Sequence, residues 1–99
     1  MSETDLIRKL TAGLPTDGSV HIGPGDDCAV VEMGMIGNHL LFKTDAIVEG
    51  VHFTADTPPE KIGRKAIGRP LSDIAAMGGW PTHALITLGL PDGCNEERL

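Results

Sequence analysis

Large aromatic side chains and positive charge are both scarce in this sequence of 99 residues. It contains one Trp, two Phe and no Tyr, so we expect a thin, aliphatic core. Eight Lys and Arg stand against fourteen Asp and Glu, which gives a formal net charge of −6 and disfavours nucleic acid held by phosphate attraction alone. A chain of this length forms one domain at most, of marginal stability by itself, and a partner surface would stabilise it.

Long apolar runs are missing as well. The longest uncharged stretch, 74–91, approaches membrane-spanning length, but Gly, Pro, Thr and His interrupt it between 78 and 83, so we predict no membrane segment. Residues 1–10 lack the apolar run of a secretion signal, and we expect a cytoplasmic protein. Cys28 and Cys94 suggest neither a metal-binding pair nor a disulfide framework, and the four His show no zinc spacing.

The first half of the chain has the pattern of one short helix followed by short strands. Ser2 and Asp5 form a weak capping pair before a helix whose apolar residues stop at Gly13 and Pro15. Runs of β-favouring residues separated by Gly, Pro and Asp turns then predict an antiparallel meander. Its strands are expected at Val20–Ile22, Ala29–Val31, His39–Phe42 and Val51–Phe53, and His83–Leu90 has the composition of a further buried strand.

The second half is dominated by one helical pattern. The run Thr57-Pro58-Pro59-Glu60 predicts a helix start with Thr57 as its cap. Apolar residues keep helical spacing up to Gly78-Gly79, although Pro70 removes a backbone donor and is expected to bend or split the helix. The final residues, 95–99, have the pattern of a cap and a first helical turn. Since one turn is not stable alone, we expect the 99 residues to be part of something longer.

Acidic residues at five positions are the candidates for chemistry: Asp26, Asp27, Asp45, Glu49 and Asp73. Asp73 lies within the apolar part of the second helix, where an unpaired buried carboxylate would cost several kcal/mol. If the fold brings Asp73 near Asp45 and the 26–27 loop, only cations could keep these carboxylates ionised together. Hard oxygen ligands suit Mg²⁺, which commonly bridges protein carboxylates and nucleotide phosphates.

Each of these residues also has an ordinary structural interpretation. Gly-Asp-Asp between strands is commonly a turn, because Asp accepts hydrogen bonds from nearby amides, and the same holds for Asp45 after Thr44. Asp73 could face solvent on a weakly amphipathic helix. His52 between Val51 and Phe53 is typical of a half-buried structural histidine.

Other phosphate and nucleophile motifs are not supported. Gly63 to Gly68 has the glycine spacing of a phosphate-binding loop, but Arg69-Pro70 replaces its Lys-Ser/Thr pair. Gly23-x-Gly25 lacks the rest of a dinucleotide fingerprint, and Ser72 lacks the glycines of a nucleophile elbow.

Three segments follow one another in the sequence: Gly25-Asp26-Asp27-Cys28-Ala29-Val30-Val31, Lys43-Thr44-Asp45-Ala46-Ile47-Val48-Glu49-Gly50-Val51-His52-Phe53 and Leu71-Ser72-Asp73-Ile74-Ala75-Ala76-Met77-Gly78. Together, in this order, they resemble the thiamine-monophosphate kinase family. The resemblance runs from about Ile22 to Pro91, and related enzymes include aminoimidazole ribonucleotide synthetase, selenophosphate synthetase and a hydrogenase maturation factor. It implies an α/β (α+β) fold, in which an antiparallel or mixed sheet with a packed helix pairs with the sheet of a second subunit in a homodimer.

The resemblance also implies a reaction and a set of site residues. ATP would phosphorylate thiamine monophosphate to thiamine diphosphate, with Mg²⁺ as cofactor. Asp27, Thr44, Asp45 and Asp73 match metal-binding positions, Asp27 and Asp45 would bind the nucleotide through metal, and His52 matches a substrate-contacting position. Two departures are Pro70, where the family has Asn, and Lys43, which stands at a small-hydroxyl position.

We therefore expect residues 1–99 to be a single amino-terminal Mg-ATP-binding domain, truncated and inactive by itself, with the carboxy-terminal domain absent. The alternatives are a non-catalytic dimerisation or metal-binding half-domain, and a related enzyme with another substrate, such as aminoimidazole ribonucleotide synthetase or selenophosphate synthetase.

Overall fold

A computed structural model describes residues 2–34 and 37–99. Its elements are helix α1 (Glu3–Thr11), strands β1 (Val20–Ile22) and β2 (Val30–Val31), helix α2 (Pro59–Ala76) and a 3₁₀ helix, η1 (Glu96–Arg98). Contacts divide the chain into two units, 1–39 and 40–99. Two α-helices and a small antiparallel sheet agree with the predicted α+β class.

The first unit contains α1 and the β1–β2 sheet. The Ser2 hydroxyl accepts a hydrogen bond from the Asp5 N–H at 3.2 Å, which satisfies an amide that the first helical turn leaves unpaired. The predicted capping pair is therefore confirmed. Strands β1 and β2 are antiparallel, with Val20 opposite Val31 and Ile22 opposite Val30.

Three of the predicted strands are absent from the described residues. Segments 39–42, 51–53 and 83–90 have no strand assignment, and Ala29 lies outside β2. The prediction of a longer meander is therefore wrong for this chain. A strand exists only where its backbone N–H and C=O groups pair with a neighbouring strand, and β-propensity does not supply that neighbour.

Helix α2 is continuous, and its start differs from the prediction. The cap position is Pro58, without a side-chain hydrogen bond, while the Thr57 hydroxyl instead accepts from the Thr54 N–H at 3.0 Å. Thr57 is therefore not the cap, because its hydroxyl is used in the preceding turn. Pro70 lies inside the helix without splitting it; it only leaves the carbonyl four residues earlier without its usual backbone donor.

The end of α2 is a glycine motif, as the sequence predicts. Gly78 has φ +71°, a left-handed conformation that favours glycine. The Gly78 N–H donates to the Ala75 carbonyl at 3.0 Å and the Gly79 N–H to the Ile74 carbonyl at 2.9 Å. These two bonds form a Schellman motif, which satisfies the last carbonyls of the helix and turns the chain away.

The predicted terminal helical turn is present as η1. The Asn95 side chain accepts from the Glu97 N–H at 3.1 Å, which is the expected cap. Arg98 then reaches back to the segment before α2, where its guanidinium donates to the carbonyls of Ala55 at 3.1 Å and Thr57 at 2.8 Å.

Side-chain burial is low throughout residues 2–34 and 37–99. None of the described side chains is fully buried, and Phe42, Trp80 and Leu85 are each at least 88% exposed. The described residues thus do not shield the predicted thin core from solvent. No helix in the described ranges is both long enough and apolar enough to cross a bilayer.

Candidate functional site

Two of the predicted metal ligands lie in one pocket of the second unit. Asp45 and Asp73 line a pocket of about 230 Å³ together with Arg69 and Ser72. The Asp45 side chain is 19% exposed and the Asp73 side chain 52% exposed. The structure therefore brings together two carboxylates that are 28 residues apart in the sequence.

Helix geometry explains one wall of this pocket. Asp73 follows Arg69 by four residues on α2, and residues at that spacing lie on the same helical face. Ser72 precedes Asp73 directly and completes the polar side of the pocket. The opposite wall comes from residues 40–45, the segment that carries Asp45.

Gly79 allows the 40–45 segment to approach α2 closely. A Cβ built on Gly79 would overlap the Leu41 Cδ1 and lie 3.1 Å from the Ile74 Cγ2. The Leu41 side chain can keep this position against the end of the helix because residue 79 has no side chain. Lys43 follows Leu41 by two residues, so this packing places Lys43 next to Asp73.

Both carboxylates of the pocket are paired with cationic side chains. Lys43 Nζ lies 2.9 Å from Asp73 Oδ2, and Arg69 Nε lies 3.6 Å from Asp45 Oδ2. The Asp73 carboxylate, by hydrogen bond and by charge, raises the pKa of Lys43 above its ordinary value. The Ala46 N–H, which donates to Asp45 Oδ1 at 2.8 Å, lowers the pKa of Asp45, and Arg69 lowers it further.

The donor chemistry of the pocket fits a hard divalent cation. Two carboxylates and the Ser72 hydroxyl supply oxygen ligands, and Mg²⁺ is usually held by one or two carboxylates plus substrate phosphates. In the described parts of the chain, no group of three or more His, Cys, Asp or Glu is arranged to hold a metal. The pocket therefore suits a cation shared with a phosphate rather than one enclosed by protein.

The other predicted site residues lie outside this pocket. Thr44 stands between Lys43 and Asp45 but does not line it. Asp26 and Asp27 belong to the first unit, in the connection between β1 and β2, where the Asp26 carboxylate accepts from the Asp27 N–H at 2.8 Å. That bond is the local turn interaction expected for Asp26. The metal-binding role of all four residues, Asp27, Thr44, Asp45 and Asp73, stays a prediction.

His52 is held in a turn of the second unit. Its Nδ1 accepts from the Val48 N–H at 2.9 Å, so the neutral ring carries its proton on Nε2. Its carbonyl accepts from Lys65 Nζ on α2 at 2.5 Å. His52 is partly exposed, and its ring and its carbonyl each have one hydrogen-bond partner. Its substrate-contacting role stays a prediction.

The sequence interpretation missed Arg69 and Ser72 as pocket residues. A signal was available for Arg69, since a cation four residues before an acid on a helix shares its face. The Arg69–Asp45 contact had no comparable signal, because it depends on how the 40–45 segment packs on α2.

Comparisons with known proteins agree with the predicted resemblance. Residues 25–99 match the family model described as AIR synthase related protein, N-terminal domain. The chain is 39% identical over 100 residues to a thiamine-monophosphate kinase of Bacillus subtilis and 44% identical over 100 residues to one of Synechococcus elongatus, in both cases over its whole length.

One further match covers only part of this chain, and the chain covers only part of the length of its relatives. A thiamine-monophosphate kinase of Aquifex aeolicus is 48% identical over 68 residues, which is 69% of this chain. The chain spans about 30% of the length of the Bacillus relative and 28% of the Synechococcus one. No solved structure matches the chain significantly.

Proposed function

We propose that this chain forms the part of a thiamine-monophosphate kinase that binds the nucleotide and the metal. The chain belongs to the AIR synthase related family and matches its N-terminal domain. The reaction would transfer the terminal phosphoryl group of ATP to thiamine monophosphate, giving thiamine diphosphate. The observation that carries this proposal is the meeting of Asp45 and Asp73, from two separate family-like segments, in one pocket.

The residues of the chain have distinct tasks in this proposal. Asp45 and Asp73 would hold Mg²⁺, which when bound neutralises phosphate charge. Arg69, with its donors in a planar fork, is suited to phosphate oxygens. His52 presents an Nε2–H donor for the acceptor substrate. Since phosphoryl transfer depends on alignment and charge stabilisation, the chain needs no activated nucleophile of its own.

A domain exchange tests the proposal. Residues 1–99 would replace the matching 30% of the Bacillus relative, and phosphorylation of thiamine monophosphate by ATP would be measured with Mg²⁺. We expect an active hybrid that loses about 10²-fold or more in kcat/KM on Asp45→Asn or Asp73→Asn. Asp92→Asn, in a turn outside the pocket, makes the same charge change and serves as the control. A folded hybrid whose activity is unaffected by both pocket substitutions would refute the proposal.

A non-catalytic role is the alternative, and one observation favours it. Lys43 and Arg69 already neutralise both pocket carboxylates, as they would in a purely structural cluster. Calorimetric titration of a non-hydrolysable ATP analogue into the hybrid, with and without Mg²⁺, separates the two functions. Metal-dependent binding supports the kinase, and its absence from a folded hybrid supports the scaffold.

A further inference from the structure

Lys43 occupies the place beside Asp73 that a cation would take. Its Nζ lies 2.9 Å from Asp73 Oδ2, and its side chain is 35% exposed. It comes from the 40–45 segment and not from α2 itself. The ammonium group is therefore a movable charge on a flexible stem, placed at an oxygen that a metal would need.

We infer that Lys43 is an internal counter-ion that competes with a divalent cation for Asp73 and so sets the metal affinity of the pocket. The inference rests on the proposed function of this pocket. A metal binding Asp73 must displace the ammonium or coexist with it, and two cations at one carboxylate repel each other. A neutral residue at position 43 would remove both costs.

Arg69 is a weaker competitor than Lys43. Its Nε is 3.6 Å from Asp45 Oδ2, beyond a good hydrogen-bond distance. Asp45 also retains the Ala46 N–H as a partner when Arg69 moves away. The structure thus assigns the stronger effect on metal affinity to position 43, while Arg69 remains available for phosphate.

Direct metal binding is the test, with Mn²⁺ and Mg²⁺ titrated calorimetrically into the 99-residue chain. Lys43→Met keeps the stem and removes the charge; we expect it to bind the metal about tenfold more tightly than the unmodified chain. Lys61→Met removes the same charge twelve residues before Asp73 on α2, about 18 Å along the axis, and Lys43→Arg keeps the charge at position 43. Both controls should bind within about twofold of the unmodified chain.

A double variant tests whether Lys43 changes the metal affinity through Asp73. Adding Asp73→Asn to Lys43→Met should abolish the gain, with helix content by circular dichroism confirming that α2 persists. Equal affinities of the unmodified chain and Lys43→Met, or a gain that survives Asp73→Asn, would overturn the inference while leaving the kinase proposal to the domain exchange. Absence of metal binding in both the unmodified chain and Lys43→Met would overturn the inference and also count against the metal site.

Discussion

Replacing Gly79 by Ala tests the close packing at the end of α2, where Gly79 meets Ile74 of the helix and Leu41 of the 40–45 segment. The new Cβ would overlap the Leu41 Cδ1, and it would lie 3.1 Å from the Ile74 Cγ2 and 3.3 Å from the Ile74 carbonyl oxygen. The Leu41 side chain can change its rotamer, but the helix carbonyl cannot move freely. Overpacking of this kind costs about 1–3 kcal/mol, and we expect Gly79→Ala to lower the free energy of unfolding by that amount.

Gly68→Ala is the matched control for this experiment. Gly68 lies within α2, and a Cβ there meets nothing within 4 Å. Ala in a helix interior is more stable than Gly by about 0.5–1 kcal/mol, so the same chemical change should have the opposite sign. Urea unfolding followed by circular dichroism measures both variants. If Gly79→Ala stabilises the chain as much as Gly68→Ala does, the close contacts of Gly79 with Ile74 and Leu41 are contradicted.

Two further predictions concern residues of the second unit that do not line the pocket. Trp80, 89% exposed, should be quenched by acrylamide as readily as a free tryptophan derivative, and a clearly smaller quenching constant would show that its ring is covered. The Thr54 hydroxyl donates a hydrogen bond to the Asp56 carboxylate and so lowers the pKa of Asp56. This hydrogen bond stabilises the fold above the ordinary Asp pKa, and the stabilisation is lost as pH falls through the lowered pKa. Thr54→Val should raise the Asp56 pKa in a nuclear magnetic resonance titration, whereas an unchanged pKa would contradict this hydrogen bond.

Local signals in the sequence predicted the ends of the elements well. Ser2, Gly78 and Asn95 act through hydrogen bonds that reach at most five residues, so their effect is written in the adjacent sequence. Thr57 was the exception, because its hydroxyl had a competing donor at Thr54. A capping pattern does not show which of two nearby amides a hydroxyl will accept from.

Non-local pairing was predicted less well, for strands and site alike. The runs at 39–42 and 83–90 have strand composition, but the structure gives them no strand partner. Asp73 was expected to be either buried with a counter-charge or exposed to solvent. Its side chain is 52% exposed and pairs with Lys43, and a 30-residue separation leaves the choice of that partner to tertiary packing. The joint predictions for Asp27 and Thr44 depend on packing of the same kind and stay predictions.

The two ion pairs also stabilise the arrangement that makes the site. Lys43–Asp73 and Asp45–Arg69 both join the 40–45 segment to α2, alongside the contact of Leu41 with Gly79. Removing Lys43 therefore has two opposing effects, because it frees Asp73 for a cation and loosens the segment that presents Asp45. A cation shared by the two carboxylates would join the same two walls. Removing Lys43 should therefore lower the free energy of unfolding of the metal-free chain, and this loss should disappear on metal binding.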